Sequence, residues 1–349
     1  MQTMAGILKG DTVLLDQKEG SQLYNRGNYG YPVKRTFELD LIEAAYLVEC
    51  KRLTVIDSGK EMTFEDIFSY ASSNLDEFDI KYIVYRDIRQ RGCIVKNDSG
   101  PFDMSVYERG KTIMHSPPQF YLRAVSERSA SDIASFNSDI EEAERKGKDL
   151  LYGVVDEEGD LTYYVMNRRS PDGRIDSAVL GDVSGTLVRD RVFVFDGSSA
   201  DCLKPGFYGK MIADSLQLSL IEACYLMDRG CLKVTDPNGS EVSADRLKEF
   251  GKEVQDEFDL RLKAYSDLRR RGLIVKTGFK YGTHFRLYEE SPDKSHARYL
   301  VHVVSGDNTT MWPEIARAVR LSGGVKKEFL FCRVTDNGTQ YMEFKWFRP

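Results

Sequence analysis

Short segments such as Thr12-Val13-Leu14-Leu15 and Arg191-Val192-Phe193-Val194-Phe195 mix apolar and polar positions with the period expected of strands. Amphipathic helices are expected at Leu41–Leu47 and Leu220–Leu226. A second helix is expected over Thr63–Ser73 in one stretch and Ser243–Val254 in the other, with Thr63 and Ser243 as caps. A third runs through Ile80–Gln90 or Leu260–Arg270 and stops at Arg-Gly, where Gly92 or Gly272 can take the left-handed terminus. Further strands are expected at Cys93–Lys96, Leu273–Lys276, Phe285–Tyr288, Tyr299–Val304, Phe329–Val334 and Tyr341–Phe347. A helix from Pro313 to Leu321 interrupts them, its proline suited to a first turn.

These segments come in pairs because the chain is written twice. Leu41-Ile42-Glu43-Ala44-Ala45-Tyr46-Leu47 recurs as Leu220-Ile221-Glu222-Ala223-Cys224-Tyr225-Leu226. Asp76-Glu77-Phe78-Asp79 recurs at Asp256–Asp259, and Arg89-Gln90-Arg91-Gly92-Cys93-Ile94-Val95-Lys96 recurs at Arg269–Lys276. An offset of about 180 residues marks a tandem duplication of a domain pair, not a short solenoid repeat. The expected fold class is α+β, or mixed α/β: each copy has a front α/β domain and then a small α/β domain with a mixed sheet. The expected limits are 1–84 and 85–170 for copy one, a polar linker at 171–184, and 185–264 and 265–349 for copy two.

Charge narrows the function. A net charge of −6 and a pI near 5.5 argue against a globally basic nucleic-acid binder. The charge is uneven, however. Arg261–Arg286 holds eight Lys or Arg and one acid, Asp267, whereas Lys81–Tyr107 holds five basic and three acidic residues. A phosphate-binding face would lie in copy two, although Arg269, Arg270 and Arg271 could equally solvate a helix end. No apolar run is long enough to span a bilayer, and the N-terminus lacks a signal-peptide layout. Six cysteines without a CxxC pair fit a reduced, cytoplasmic protein.

The copies diverge where chemistry would sit. Copy two has Tyr288, His296 and Lys327; the matching places in copy one are read as Tyr107, Pro118 and Gly147. His284 and His302 lie near His296, but their spacing matches no common zinc pattern, so no metal or cofactor is expected.

These residues carry a resemblance. Gly278-Phe279-Lys280-Tyr281-Gly282-Thr283-His284-Phe285-Arg286-Leu287-Tyr288-Glu289, Ser295-His296-Ala297-Arg298-Tyr299-Leu300-Val301, Arg320 and Val325-Lys326-Lys327 together resemble the archaeal tRNA-splicing endonucleases. The layout looks like their homodimeric two-repeat type, with one degenerate and one active nuclease-like domain. The resemblance implies cleavage of precursor tRNA at a bulge-helix-bulge, leaving 2′,3′-cyclic phosphate and 5′-hydroxyl ends. It also implies catalysis by Tyr288, His296 and Lys327, and a base sandwich to which Arg320 and Lys345 would contribute. Arg286 and Lys280 are further candidates for RNA contact. Asp139, Glu141, Glu142 and Glu144 form an acidic run that is either a solvated helix face or part of a late loop of copy one, and the resemblance implies that such a loop docks in a basic groove of a second chain. Paired C-terminal strands are suggested as well. Two rivals stay open: a non-catalytic RNA-binding subunit and a metal-dependent nuclease.

Overall fold

A computed structural model describes residues 4–98, 100–111, 113, 115–175 and 182–349. Much of the polar linker expected at 171–184 therefore lies outside the described residues. The fold is mixed α/β, and its two copies are related by matching strand registers.

Each front domain is a six-stranded sheet flanked by three helices. In copy one the strands lie in the order Tyr31–Val33, Thr36–Asp40, Thr12–Asp16, Met4–Lys9, Leu53–Asp57 and Lys60–Met62. Copy two repeats that order with its own strands, from Lys210–Ile212 to Glu241–Val242. The helices follow from local chemistry. Thr63 and Asp66 form a reciprocal capping box at the start of Phe64–Asn74, and Ser219 and Glu222 do the same before Leu220–Asp228. The helices Gln17–Gly27 and Gly197–Leu203 were not expected; Asp16 and Asp196 cap them.

The front and back domains share a helix. Phe78–Gln90 and Phe258–Arg270 run unbroken through positions 84 and 264. Their penultimate arginines fix the front domains. Arg89 donates to the Gly27 carbonyl at 2.8 Å and stacks 3.8 Å over Tyr29. Arg269 repeats this on Gly206, at 2.8 Å, and on Tyr208, at 4.1 Å. Arg269 is therefore buried and serves packing. Arg271 is held by Asp267 at 2.7 Å, which leaves Arg270 as the exposed member of the triplet. Just beyond, Gly173 hydrogen-bonds the Arg271 carbonyl at 2.9 Å. A Cβ on Gly173 would lie 2.3 Å from the Gly272 oxygen, so only glycine fits this approach.

The back domains form one ten-stranded sheet. Its central joint is antiparallel pairing between the last strand of copy one, Leu161–Arg169, and the last strand of copy two, Gly338–Phe347. The partners Val165↔Lys345 and Asn167↔Glu343 are symmetric about a pseudo-two-fold axis. The paired C-terminal strands thus occur within one chain. Ala130–Asp132 also pairs with Thr309–Met311 across the copies. Beneath the joint lies a shared core. Trp312 contacts Phe136, Tyr152 and Tyr164 at ring distances of 5.6, 5.3 and 5.7 Å, and it is 1 % exposed.

Of the two alternatives for the acidic run, the docking loop fails. The run is the second half of a helix, Ile133–Arg145. Ile133, Phe136, Ile140 and Ala143 recur at helical spacing and are buried, and Asp132 caps the first turn. An acidic loop does exist farther on. The turn Asp156-Glu157-Glu158-Gly159-Asp160 joins the last two strands of copy one, where copy two has only Asp336-Asn337.

Because Trp312 packs across both copies, Trp312→Ala should cost about 3–5 kcal/mol of unfolding free energy, read from urea denaturation. Both copies should lose stability together in a single transition.

Candidate active site at one end of the sheet

Strand register brings the candidate residues together. Leu287 pairs with Tyr299, which pairs with Glu328. One step toward the sheet's end, Arg298 N–H donates to the Leu287 carbonyl at 3.0 Å, and Glu328 N–H donates to the Arg298 carbonyl at 2.9 Å. Tyr288, Arg298 and Lys327 therefore stand side by side in one row across three strands. Neighbouring strands lie about 4.8 Å apart, so the outer two α-carbons are separated by about 10 Å. Strand alternation puts Tyr288 and Lys327 on the same side of the sheet, with the strand end at Arg298 between them.

His296 sits in the loop leading into this row and is exposed. The loop is tied down. The Lys327 ammonium donates to the Ala297 carbonyl at 2.6 Å. Arg298 bridges Glu289 at 2.9 Å and Glu328 at 2.8 Å. The Glu328 hydrogen bond is the main cause that raises the Arg298 pKa above its usual value. Among the described residues no hydrogen bond links the phenol, imidazole and ammonium to one another.

The surroundings are cationic. Arg286 lies 5.8 Å from the Tyr288 ring. Lys280 lies 5.1 Å and Lys327 5.9 Å from the ring of Tyr281. Burial pushes the Tyr281 phenol up, but Lys280, aided by Lys327 and Arg286, brings it below its ordinary value. Sequence reasoning missed Tyr281, although Phe279-Lys280-Tyr281 between two glycines was the available signal.

The two residues expected to form a base sandwich separate. Arg320 lies on an exposed flank of the helix Trp312–Gly324, near enough to Tyr164 to oppose the rise that burial gives that phenol. Lys345 is exposed on the opposite face. Tyr341 shares its parity and donates to Asp267, on the helix Phe258–Arg270. Trp346, 60 % exposed, is the residue of this strand on the Lys327 face.

Both halves of each copy match family models. The "tRNA intron endonuclease, N-terminal domain" matches residues 4–68 and 183–248, and the "tRNA intron endonuclease, catalytic C-terminal domain" matches 78–163 and 258–342. A "tRNA-splicing endonuclease" of Methanosarcina mazei is 38% identical over 344 residues, covering 96% of each chain. That of Methanococcoides burtonii is 36% identical over 340 residues, covering 95% of this chain and 96% of its own. That of Haloferax volcanii is 31% identical over 358 residues, covering 96% of each. The chain belongs to the tRNA intron endonuclease family.

Within this family member, copy one has lost less than its sequence suggested. Val106 pairs with Phe120, which pairs with Asp149, the same register as Leu287, Tyr299 and Glu328. Counting outward, Lys148 stands where Lys327 does, and Pro117, not Pro118, stands where His296 does. Backbone hydrogen bonds agree: Lys148 donates to the Ala143 carbonyl as Lys327 donates to that of Ser322. Gly147 instead matches Lys326, and both are left-handed, with φ of 68° and 55°. Copy one thus keeps Tyr107 and a lysine; counting back from Phe120 puts Pro117 at the place of His296, while its own exposed histidine, His115, lies two residues earlier in a longer loop.

The acidic helix of copy one also differs from its expected role. Asp139 is bridged to Arg123 at 2.9 Å and accepts from the Tyr152 hydroxyl at 2.6 Å. Arg168 bridges Glu141 at 2.7 Å and Glu144 at 3.5 Å, and Glu142 pairs with Arg145. These carboxylates have partners within their own chain, and they lie on a helix rather than in a projecting loop.

Among the described residues, no cluster of three or more His, Cys, Asp or Glu could hold a metal ion. His284 and His302 stack at 4.4 Å, and the Val303 N–H donates to His284 Nδ1 at 2.9 Å. Burial, then the neighbouring His302 and Arg261, lowers the His284 pKa from 6.5 to about 3. Burial also lowers His302. Both rings are therefore neutral when folded but charge below about pH 6.5 when unfolded. Their contribution to stability should be full above pH 6.5 and fall away as pH drops toward 3. Urea midpoints from pH 7 to 4 should show that fall, and His284→Gln should reduce it.

Proposed function

We propose that this chain is a tRNA-splicing endonuclease that cuts precursor tRNA at intron boundaries folded as a bulge-helix-bulge. The observation carrying the reading is the row of Tyr288, Arg298 and Lys327, with the His296 loop hydrogen-bonded to Lys327. The reaction is internal transesterification, a phosphorus–oxygen lyase step. The 2′-oxygen attacks the adjacent phosphorus, the bond to the 5′-oxygen breaks, and the products are a 2′,3′-cyclic phosphate and a 5′-hydroxyl. His296, exposed in the loop beside the row, delivers the proton to the leaving 5′-oxygen, the general-acid role an imidazole most often fills. Lys327 stabilises the charge that accumulates on the phosphorane oxygens. Tyr288 directs the 2′-hydroxyl into line, its phenol oxygen taking up that hydroxyl's proton as its own passes to water. Arg286, Lys280 and Arg320 contribute positive charge for the RNA backbone, and Lys345 reaches RNA only from the opposite face.

The assembly is read as a homodimer. The exposed acidic turn Asp156–Asp160 of copy one complements a cleft of about 630 Å³ in copy two, lined in part by Arg191, Lys210, Lys276 and Arg286. Six free cysteines suit a reducing, cytoplasmic setting. No helix among the described residues is long and apolar enough to cross a membrane.

A bulge-helix-bulge RNA incubated in excess EDTA should be cut to cyclic-phosphate and 5′-hydroxyl ends. No cleavage would support a non-catalytic RNA-binding subunit, and chelator-sensitive cleavage to 5′-phosphate ends would support a metal nuclease. His296→Ala should lower kcat by about 10²–10⁴-fold with RNA binding retained. Lys327→Ala should also abolish most cleavage, whereas Lys148→Ala should leave it near the unaltered rate. Reversing Glu157 and Glu158 to lysine should yield monomers by light scattering; variants that stay dimeric would remove the docking assignment.

A further inference from the structure

A cavity of about 470 Å³ opens on the Lys327 face, between the turn Phe279–Tyr281 and the helix Trp312–Gly324. His302, Phe329 and Phe331 form its floor, Tyr281 and Leu321 line its sides, and the exposed Arg317 also lines it. The space adjoins the row of candidate catalytic residues. Phe329 lies two residues along the strand from Lys327, about 7 Å by strand rise. The Tyr281 ring at its edge is 5.9 Å from the Lys327 ammonium. His302 stacks on His284 and meets Phe331 edge-on at 5.8 Å, and among the described residues its ring makes no hydrogen bond. The cavity therefore offers aromatic faces, an unused imidazole edge and the polar groups of Thr310 and Glu314 as hydrogen-bond acceptors, with positive charge at its mouth, where Lys280 lies beside Tyr281 and Phe279 is 87 % exposed.

In copy one the corresponding place is occupied. By strand register Arg123 replaces His302, and Asp139 of the overlying helix replaces Ala318. The two join by hydrogen bonds of 3.0 and 2.9 Å. Phe102 stacks on Tyr121 at 4.9 Å, and Lys146 covers that pair 4.6 Å from the Tyr121 ring. Copy two has small or apolar side chains at Ala318 and Leu321, and the space is open beside the full set of candidate catalytic residues.

We propose that this cavity receives an unpaired RNA base flanking the cleaved phosphate, stacked on Tyr281 and contacted at its edge by His302. The inference rests on the reading of the chain as an RNA endonuclease. Tyr281 is then a positioning residue: by holding the base it sets the neighbouring phosphate against Lys327. A nucleobase suits the site because every base has a face that stacks and an edge that hydrogen-bonds.

The test compares kcat/KM for a bulged RNA with and without a single abasic nucleotide at each unpaired position in turn. The unaltered protein should lose about 10-fold or more at one position, the scale of one base stack. Ala318→Phe and Leu321→Trp fill the cavity from its helix wall. Each should cleave the intact RNA at the abasic rate, through a raised KM, and show no further loss from the abasic change. If either folded variant cleaves the intact RNA as the unaltered protein does, or keeps the full abasic penalty, the proposal is overturned. A readout without substitution guards against misfolding. 2-Aminopurine at that position, in RNA carrying a 2′-deoxy nucleotide at the cleaved bond, should be quenched when the unaltered protein binds. Absence of quenching at every unpaired position also overturns it. Failure of the unaltered protein to cut any bulged RNA would instead sink the endonuclease reading beneath it.

Discussion

The structure depends on one joint, the antiparallel pairing of Leu161–Arg169 with Gly338–Phe347. Each strand alone would be the edge of a five-stranded sheet, a row of unpaired backbone groups open to misassociation. Paired, they close each other and bring Phe136, Tyr152 and Tyr164 of copy one against Trp312, Phe331 and Phe344 of copy two. The joint sets a pseudo-two-fold axis, and that axis sends the Tyr288–Lys327 row and its Tyr107–Lys148 counterpart to opposite ends of one sheet. The front domains follow the back domains, because Arg89 and Arg269 anchor each to the helix it shares with its back domain.

Within that frame, the difference between the copies is small in backbone and large in chemistry. Both rows have the same register, and the left-handed residue after each helix is kept, as Gly147 or Lys326. What changes is a proline where His296 stands and the filling of space by Phe102 and the Arg123–Asp139 pair. A duplicated domain that keeps its sheet must keep its packing residues. It need not keep an open cavity.

The duplication and most helices were legible in the chain because they rest on local periodicity and capping. Leu41–Glu49, Phe64–Asn74 and Trp312–Gly324 lie within a few residues of their expected limits. The tyrosine, histidine and lysine of copy two were legible from motif resemblance. The rest needed the third dimension. Pairing between strands so distant in sequence leaves no local trace. Lys148 was missed because the match to Lys327 slips by one residue unless strand register is known. The acidic run of copy one belongs to the helix-face alternative and not to the docking loop that the resemblance implies, because its buried positions 136, 140 and 143 are helical in spacing. Lys345 seemed a partner for Arg320 until the pleat put it on the opposite face.

Amide hydrogen exchange across the two joining strands tests the central claim most directly. If the joint holds the chain together, backbone amides of 163–168 and 341–346 that bond across it should exchange only through global unfolding, all with the same free energy. Fast exchange in one strand while the other stays protected would contradict the account.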